Sequence, residues 1–406
     1  MKIGIYLPDI DPKTGGGFTF VETVLGNAGA SPDDSVVVFH YGSSAGLRSK
    51  VAGRRIKFHS LASGPIGRLI RKTWYGQVTS RLQRPLHQAA GIFGWNAPYV
   101  PASALDHAAR PLGIDLMWFP SPMYEQVDLP YVITIWDVEH RLQPYFPELG
   151  AYAEWTWREK LFGDTLRRAT YVVTGTHVGR DEIVRFYGVD DARIRLLPHP
   201  TPTFALDAAS TPVTPLSLPV RSPYIFYPAQ FWSHKNHVGL LRGVAELKRR
   251  GVTIDVAFVG SDKGNLEHVR ERASALDIYD QVHFLGFVER ADLVALYRNA
   301  TALAYASLCG PENLPPLEAM ALGCPVIASN IAGAREQLGD AALLIDMLDA
   351  KSIADAIQRL MADAALRREL QAKGALRAAK YTHVEFGRDL GGIFDEFRRH
   401  RELWHR

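Results

Sequence analysis

The chain has 406 residues, 47% of them hydrophobic and 22% charged, which excludes a disordered or fibrous protein and leaves enough length for two cores. A net charge of +3 is too weak to argue for nucleic acid as a partner. The two cysteines, Cys309 and Cys324, fall in one segment, whereas a secreted disulfide framework needs more of them and more evenly spread, so a reducing compartment is expected.

In chain order, the opening MKIGIYLPDI has an apolar run too short for a signal peptide or a bilayer span, and no later stretch is long enough to span one. A soluble or peripherally attached cytoplasmic protein is expected. Short apolar runs suited to buried parallel strands then recur: KIGIYLP, SVVVFHY, LMWFP, YVITIWD and YVVTGT, followed by YIFYPA, IDVAFVG, VHFLGF, TALAYAS and CPVIAS. Helical patterns such as HVGLLRGVAELKRRG separate them, so the fold class is α/β with parallel sheets and right-handed crossovers. The segment Pro200 to Pro223 is dense in Pro, Thr and Ser without periodicity and reads as a linker. The expected organisation is one doubly wound Rossmann-like domain over 1–205, a linker over 206–223 and a second such domain over 224–384. A C-terminal helix over about 385–406 is expected to return to the first domain. Ligands of such folds bind outside the carboxyl ends of the strands, which places the site in the cleft between the halves.

Five stretches carry candidate chemistry. After the first strand, Gly15, Gly16 and Gly17 open a helix, where backbone N–H groups and the helix field suit a phosphate or sugar oxygen; a ligand-free loop is the alternative. The pattern GxGxxG is not met, which argues against a dinucleotide cofactor. Asp9 and Asp11 spell D-x-D, a metal–nucleotide pattern elsewhere, and read better as loop residues here. Between Ile66 and Arg84 the segment is basic, without acidic residues, and its apolar residues recur at i+4. It is either an amphipathic helix for an anionic membrane surface or a core-facing helix with a solvated basic side. In TIWDVEHR, Asp137 ends a strand with His140 and Arg141 one turn on, a group suited to an acceptor hydroxyl or to capping a turn. In PAQFWSHKNH, Lys235 lies between a strand and a helix start, where an ammonium pairs naturally with a diphosphate. Finally, CGPENLPPLEAMALGCPVIAS forms a loop at Gly310 and Pro311, a helix opened by two prolines, and a stop at Gly323. The amides of Asn313 and Leu314 sit at that helix N-terminus, and Glu318 one turn inside could hold a ribose diol or simply favour the helix end.

These segments, in this order from Gly15 to Ser329, resemble the retaining glycosyltransferases of family 4, with the second half the more specific. The resemblance implies the GT-B fold, in which two Rossmann-like domains face across a cleft, a nucleotide sugar is held by the second domain and the acceptor by the first, with no metal or other cofactor. It implies that Glu318 holds the ribose hydroxyls and that Lys235 neutralises the diphosphate. Phe287 and Val288 would pack near the base, the amides of Asn313 and Leu314 would meet sugar and phosphate, and Gly16 and Gly17 would close over the phosphate. Three positions depart from the pattern: Gly310 stands where the first motif glutamate falls, Gln230 replaces a frequent arginine, and Trp136-Asp137 replaces a frequent His-Asp. Gln230, Gly310 and Glu312 are retained as donor-facing positions. The variant resembles bacterial mannosyltransferases of surface polysaccharide synthesis, so transfer of mannose from GDP-mannose to a glycan or lipid-linked acceptor is the first expectation. A GT-B epimerase, a phosphorylase and a nucleotide-sugar-binding module without transfer stand as alternatives.

Overall fold

The structure is a computed structural model that describes residues 1–8, 15–26, 28, 34–41, 56–61, 103–151, 153–215 and 217–404. The D-x-D pattern and the basic segment from Ile66 to Arg84 lie outside the described residues.

The chain folds around two parallel sheets. The first has β1 (Lys2–Leu7), β2 (Ser35–His40), β3 (Ile56–Ser60), β4 (Leu116–Phe119), β5 (Tyr131–Thr134), β6 (Tyr171–Thr174) and β7 (Ile194–Leu196), in the order β3-β2-β1-β4-β5-β6-β7. The second has β8 (Tyr224–Pro228), β9 (Asp255–Val259), β10 (Val282–Phe284), β11 (Ala302–Tyr305), β12 (Val326–Ser329) and β13 (Ala342–Ile345), in the order β10-β9-β8-β11-β12-β13. Both orders reverse direction once, between β1 and β4 and between β8 and β11. Such a reversal opens a crevice at the carboxyl ends of the two strands, because their crossover helices leave to opposite faces. The central strands are buried throughout, as in SVVVFHY and YIFYPA, because helices cover both faces of the sheet. The edge strands β3, β7 and β13 are only partly buried; none appears among the apolar runs read from the sequence.

Local chemistry explains the elements that frame the cleft. Asn236 adopts a left-handed conformation (φ 52°), and its side chain accepts the Gly239 N–H at 3.1 Å, which starts the helix His237–Arg249. The helix Leu314–Ala321 begins with prolines in its first turn and ends at Gly323, whose φ of 73° only glycine adopts cheaply. Cys324 N–H donates to Ala319 O at 2.8 Å and Gly323 N–H to Met320 O at 3.3 Å, a Schellman closure that turns the chain directly into β12.

The last helix, His383–Arg401, buries Phe386, Leu390, Ile393, Phe394 and Phe397 in one cluster with Ile3, Ile5, Phe20, Val24 and Trp118 of the first domain. Each such side chain contributes about 1.5–3 kcal/mol on burial. Arg398 reaches Asp34 at 2.6 Å and Arg195 reaches Glu396 at 2.7 Å, fixing the register of the return. Where the chain enters and leaves the second domain its two segments touch: Thr201 N–H donates to Tyr381 O at 3.0 Å and the Thr201 hydroxyl to Ala378 O at 2.8 Å.

Candidate active site

The carboxyl ends of the two sheets face each other, and the candidate residues gather there. Lys235, in the turn Ser233–Lys235 that follows β8, donates through Nζ to Tyr305 Oη and Ser307 Oγ, both at 3.2 Å. Those partners end β11, so the lysine sits at the topological switch point of the second sheet. Its ammonium also lies 5.5 Å from the Tyr305 ring. Both hydrogen-bond partners are neutral, and among the described residues the ammonium forms no ion pair, which leaves it available to an anion. Tyr305 Oη donates in turn to Asn313 Oδ1 at 2.9 Å, joining the lysine to the start of the helix Leu314–Ala321.

Glu318 lies in that helix, buried, and accepts a hydrogen bond from Tyr297 Oη at 2.6 Å. Burial pushes its carboxyl up to about 7, against the pull of the Tyr297 bond and the Arg290 guanidinium. Arg290 is anchored across the cleft by Glu22 at 3.0 Å. Phe287 follows Gly286, which turns with φ 66°, and its ring is 52% exposed beside the partly buried Val288. An exposed ring next to a buried core is a ready stacking surface.

From the first domain, Gly15 (φ 78°) begins the helix Gly16–Leu25, and a Cβ on it would lie 3.9 Å from the Gln230 amide of the second domain. Gln230 is itself fixed by Ser261 at 3.2 Å and by the Trp232 indole at 3.1 Å. A Cβ on Gly17 would meet the Trp136 ring at 3.2 Å, so glycine there lets the helix start approach β5's carboxyl end closely. The triplet therefore faces the loop that leads to Lys235.

Within 214–377 the chain matches the family model for glycosyl transferases group 1. That match covers most of the second half of the chain. The architecture of the whole chain agrees with GT-B structures: sucrose-phosphate synthase from Thermosynechococcus elongatus superposes with a TM-score of 0.70 at 20% identity, covering 98% of this chain and 99% of that one. Anabaena HepE in complex with UDP and glucose superposes with a TM-score of 0.64 at 14% identity, covering 98% and 100%. Among curated relatives, the O-antigen chain mannosyltransferase B of Escherichia coli is 28% identical over 56% of this chain and 60% of its own length. The D-inositol 3-phosphate glycosyltransferase of Salinispora tropica is 34% identical over 45% of this chain and 40% of its own. The chain thus spans about half the length of these curated relatives.

Several candidate residues lie where the sequence did not put them. His140 is fully buried, with Nε2 2.8 Å from Glu159 and 3.0 Å from the Tyr187 hydroxyl. Arg141 Nε donates to the same Glu159 at 2.6 Å. Both side chains are thus drawn away from the cleft by a carboxylate on the neighbouring helix Glu154–Arg168, and burial lowers the His140 pKa. Asp137 stays half-exposed and accepts the Glu139 N–H at 3.1 Å. The Asn313 amide is not open to a ligand, because Gln337 Oε1 accepts from it at 3.0 Å. Leu314 turns its side chain into the first domain's cluster.

Glu312 also departs from its expected place. Its Oε1 accepts the His199 N–H of the first domain at 2.8 Å, and a Cβ on Gly175 would lie 1.3 Å from its Oε2. It plugs the domain interface rather than facing a donor, and burial pushes it up to about 8. Sequence reasoning passed over the residues that hold the cleft together. Glu148 accepts both the N–H and the Nδ1 of His234, at 2.8 and 2.6 Å. Burial pushes that carboxyl up, but the His234 hydrogen bonds outweigh it and hold it at about 2. Glu139 accepts the Gly310 N–H at 2.7 Å. Its only signal in the sequence is its place between Asp137 and His140.

Proposed function

We propose that this protein is a retaining glycosyltransferase that moves a hexose from a nucleotide sugar to a hydroxyl of a glycan or lipid-linked acceptor, without a required metal. The observation that carries the reading is Lys235, an ammonium with only neutral partners at the switch point of a group 1 glycosyltransferase domain, opposite the Gly15 to Gly17 loop. In this reading the second domain holds the donor. Glu318 takes the ribose, Phe287 and Val288 flank the base, and the ammonium meets the diphosphate. The first domain takes the acceptor, with Asp137 orienting its hydroxyl.

The acceptor oxygen attacks the anomeric carbon on the face from which the nucleotide departs, through an oxocarbenium-like transition state. The bond from that carbon to the diphosphate oxygen breaks, the new glycosidic bond forms, and the acceptor proton passes to the departing phosphate. Lys235 stabilises the negative charge that grows on the leaving group, a preorganised electrostatic effect of the kind that dominates many enzymatic rate enhancements. Mannose from GDP-mannose is the preferred donor, supported by the name of the Escherichia coli relative. The Ile66 to Arg84 segment is proposed to rest on an anionic membrane and so present the cleft to a lipid-linked acceptor; among the described residues no helix is long and apolar enough to cross one.

Incubation with GDP-mannose and a panel of UDP- and dTDP-sugars, reading nucleoside diphosphate release, tests the reading. Release with at least one donor, abolished in Glu318→Ala, is the expected result. Binding of a nucleotide sugar without release would make the protein a binding module instead.

A further inference from the structure

The loop after β11 is held from the opposite domain at two points. Glu139 Oε1 accepts the Gly310 N–H at 2.7 Å. Gln143 donates from Nε2 both to Glu139 Oε2 at 2.9 Å and to Leu308 O at 2.6 Å. Glu139 and Gln143 lie at the two ends of one short helical turn that follows β5, so the first domain presents them together. Gly310 has φ 92° and no side chain of its own, and the group standing before its amide is therefore a carboxylate from across the cleft. Burial raises the pKa of the Glu139 carboxyl, the Gly310 N–H pulls it back, Asp137 adds to the rise and Lys235 opposes it, which places the three charged groups around one loop.

A carboxylate offers about four acceptor positions, and the hydrogen bonds from Gly310 and Gln143 use one on each oxygen. Two remain without a donor among the described residues. A sugar attached to a diphosphate at Lys235 carries its hydroxyls next along the cleft, and hydroxyl groups are the donors that such a carboxylate recognises. We propose that Glu139 binds the hydroxyls of the transferred sugar, so that specificity at the sugar end of the donor is supplied by the first domain across the cleft. The inference rests on the transferase reading above and adds to it a residue and a timing. The nucleotide binds to one domain, whereas the sugar is recognised only when the two domains meet.

The test compares wild type, Glu139→Gln, Glu139→Asp and Gln143→Ala, with calorimetric affinities for GDP, UDP and dTDP alongside steady-state kinetics on the donor panel. Hydrogen bonds to a charged group are worth about 1.5–3 kcal/mol, so Glu139→Gln is expected to lower kcat/KM for the donor by roughly tenfold to a hundredfold. The affinity for the free nucleoside diphosphate should stay within about twofold, since no hydroxyl of the sugar is present. Glu139→Asp, which keeps the charge, should recover part of the loss, and Gln143→Ala, which removes the Leu308 anchor and one hydrogen bond to Glu139 but keeps the carboxylate, should lose less than Glu139→Gln. Wild-type turnover that Glu139→Gln leaves unchanged overturns the inference. So does an equal loss of diphosphate affinity and donor kcat/KM in that variant, because support of the loop alone would produce it. Absence of turnover by wild type on every donor overturns the transferase reading itself, a result distinguishable from either.

Discussion

The two ends of the cleft are built differently. At the Lys235 end the hydrogen bonds of the functional side chain described above go to the second domain: Tyr305, Ser307 and, through Tyr305, Asn313. At the Gly310 end the loop is held by Glu139 and Gln143 of the first domain, and two residues later Glu312 is held by His199. The first arrangement is preorganised in one rigid unit, while the second is assembled by the meeting of two. A site divided this way can take its charged anchor first and complete the rest on closure.

The sharpest way to break the comparison is at Lys235. Lys235→Ala is expected to reduce turnover by about 10²–10³-fold, the loss typical of removing one preorganised charge-stabilising donor. It should also weaken nucleoside diphosphate binding by more than tenfold in calorimetry, since the contact is present before closure. If diphosphate affinity is retained, the anchor lies elsewhere.

The divided end predicts a pH dependence. Glu312 has a folded pKa of about 8, above the ordinary carboxyl value, so the native state keeps a proton that the unfolded chain has released. Its contribution to stability is complete below about pH 4.5 and is lost as pH rises through 8, at about 1.4 kcal/mol per pH unit in the intervening window. Between pH 6 and 8 wild type should lose roughly 2–3 kcal/mol more than Glu312→Gln in urea unfolding. Parallel curves for the two proteins would mean that Glu312 is ionised at the interface.

Phe287→Ala should weaken nucleoside diphosphate affinity by about tenfold or more, given about 1–3 kcal/mol for a base stacked on an aromatic ring, and leave the melting temperature unchanged because the ring is exposed. An unchanged affinity would place the base away from this turn. The smallest effect is expected from Glu148→Ala, which removes the His234 contact between the domains. The donor KM should rise severalfold without a change in diphosphate affinity. A fall in diphosphate affinity would show that closure also serves the nucleotide.

Much of this fold is legible because buried parallel strands are continuous apolar runs, and the ten runs read from the sequence all lie on strands in the two sheets. The three strands left out are edges. Ile56–Ser60 alternates polar and apolar and Ile194–Leu196 is three residues long, so neither shows the signal of a covered strand, whereas Ala342–Ile345 (ALLI) carries an apolar run but is buried at one end only. Lys235 and Glu318 were readable from motifs confined to one domain. His140, Arg141 and Glu312 were not, because what places them is a partner distant in the chain: Glu159 for the first two and the His199 backbone for the third. No local spacing records such a partner. Glu139 was hidden for the same reason, its counterpart Gly310 being 171 residues away.

The return of the helix His383–Arg401 to the first domain means that the polypeptide crosses between domains twice, and Thr201 pins the outgoing segment to the incoming one at Tyr381 and Ala378. One crossing would act as a swivel with three rotational freedoms. Two crossings pinned side by side act as a door hinge with a single axis, so any opening of the cleft follows an arc, and Glu139 returns to the Gly310 amide along the path by which it left.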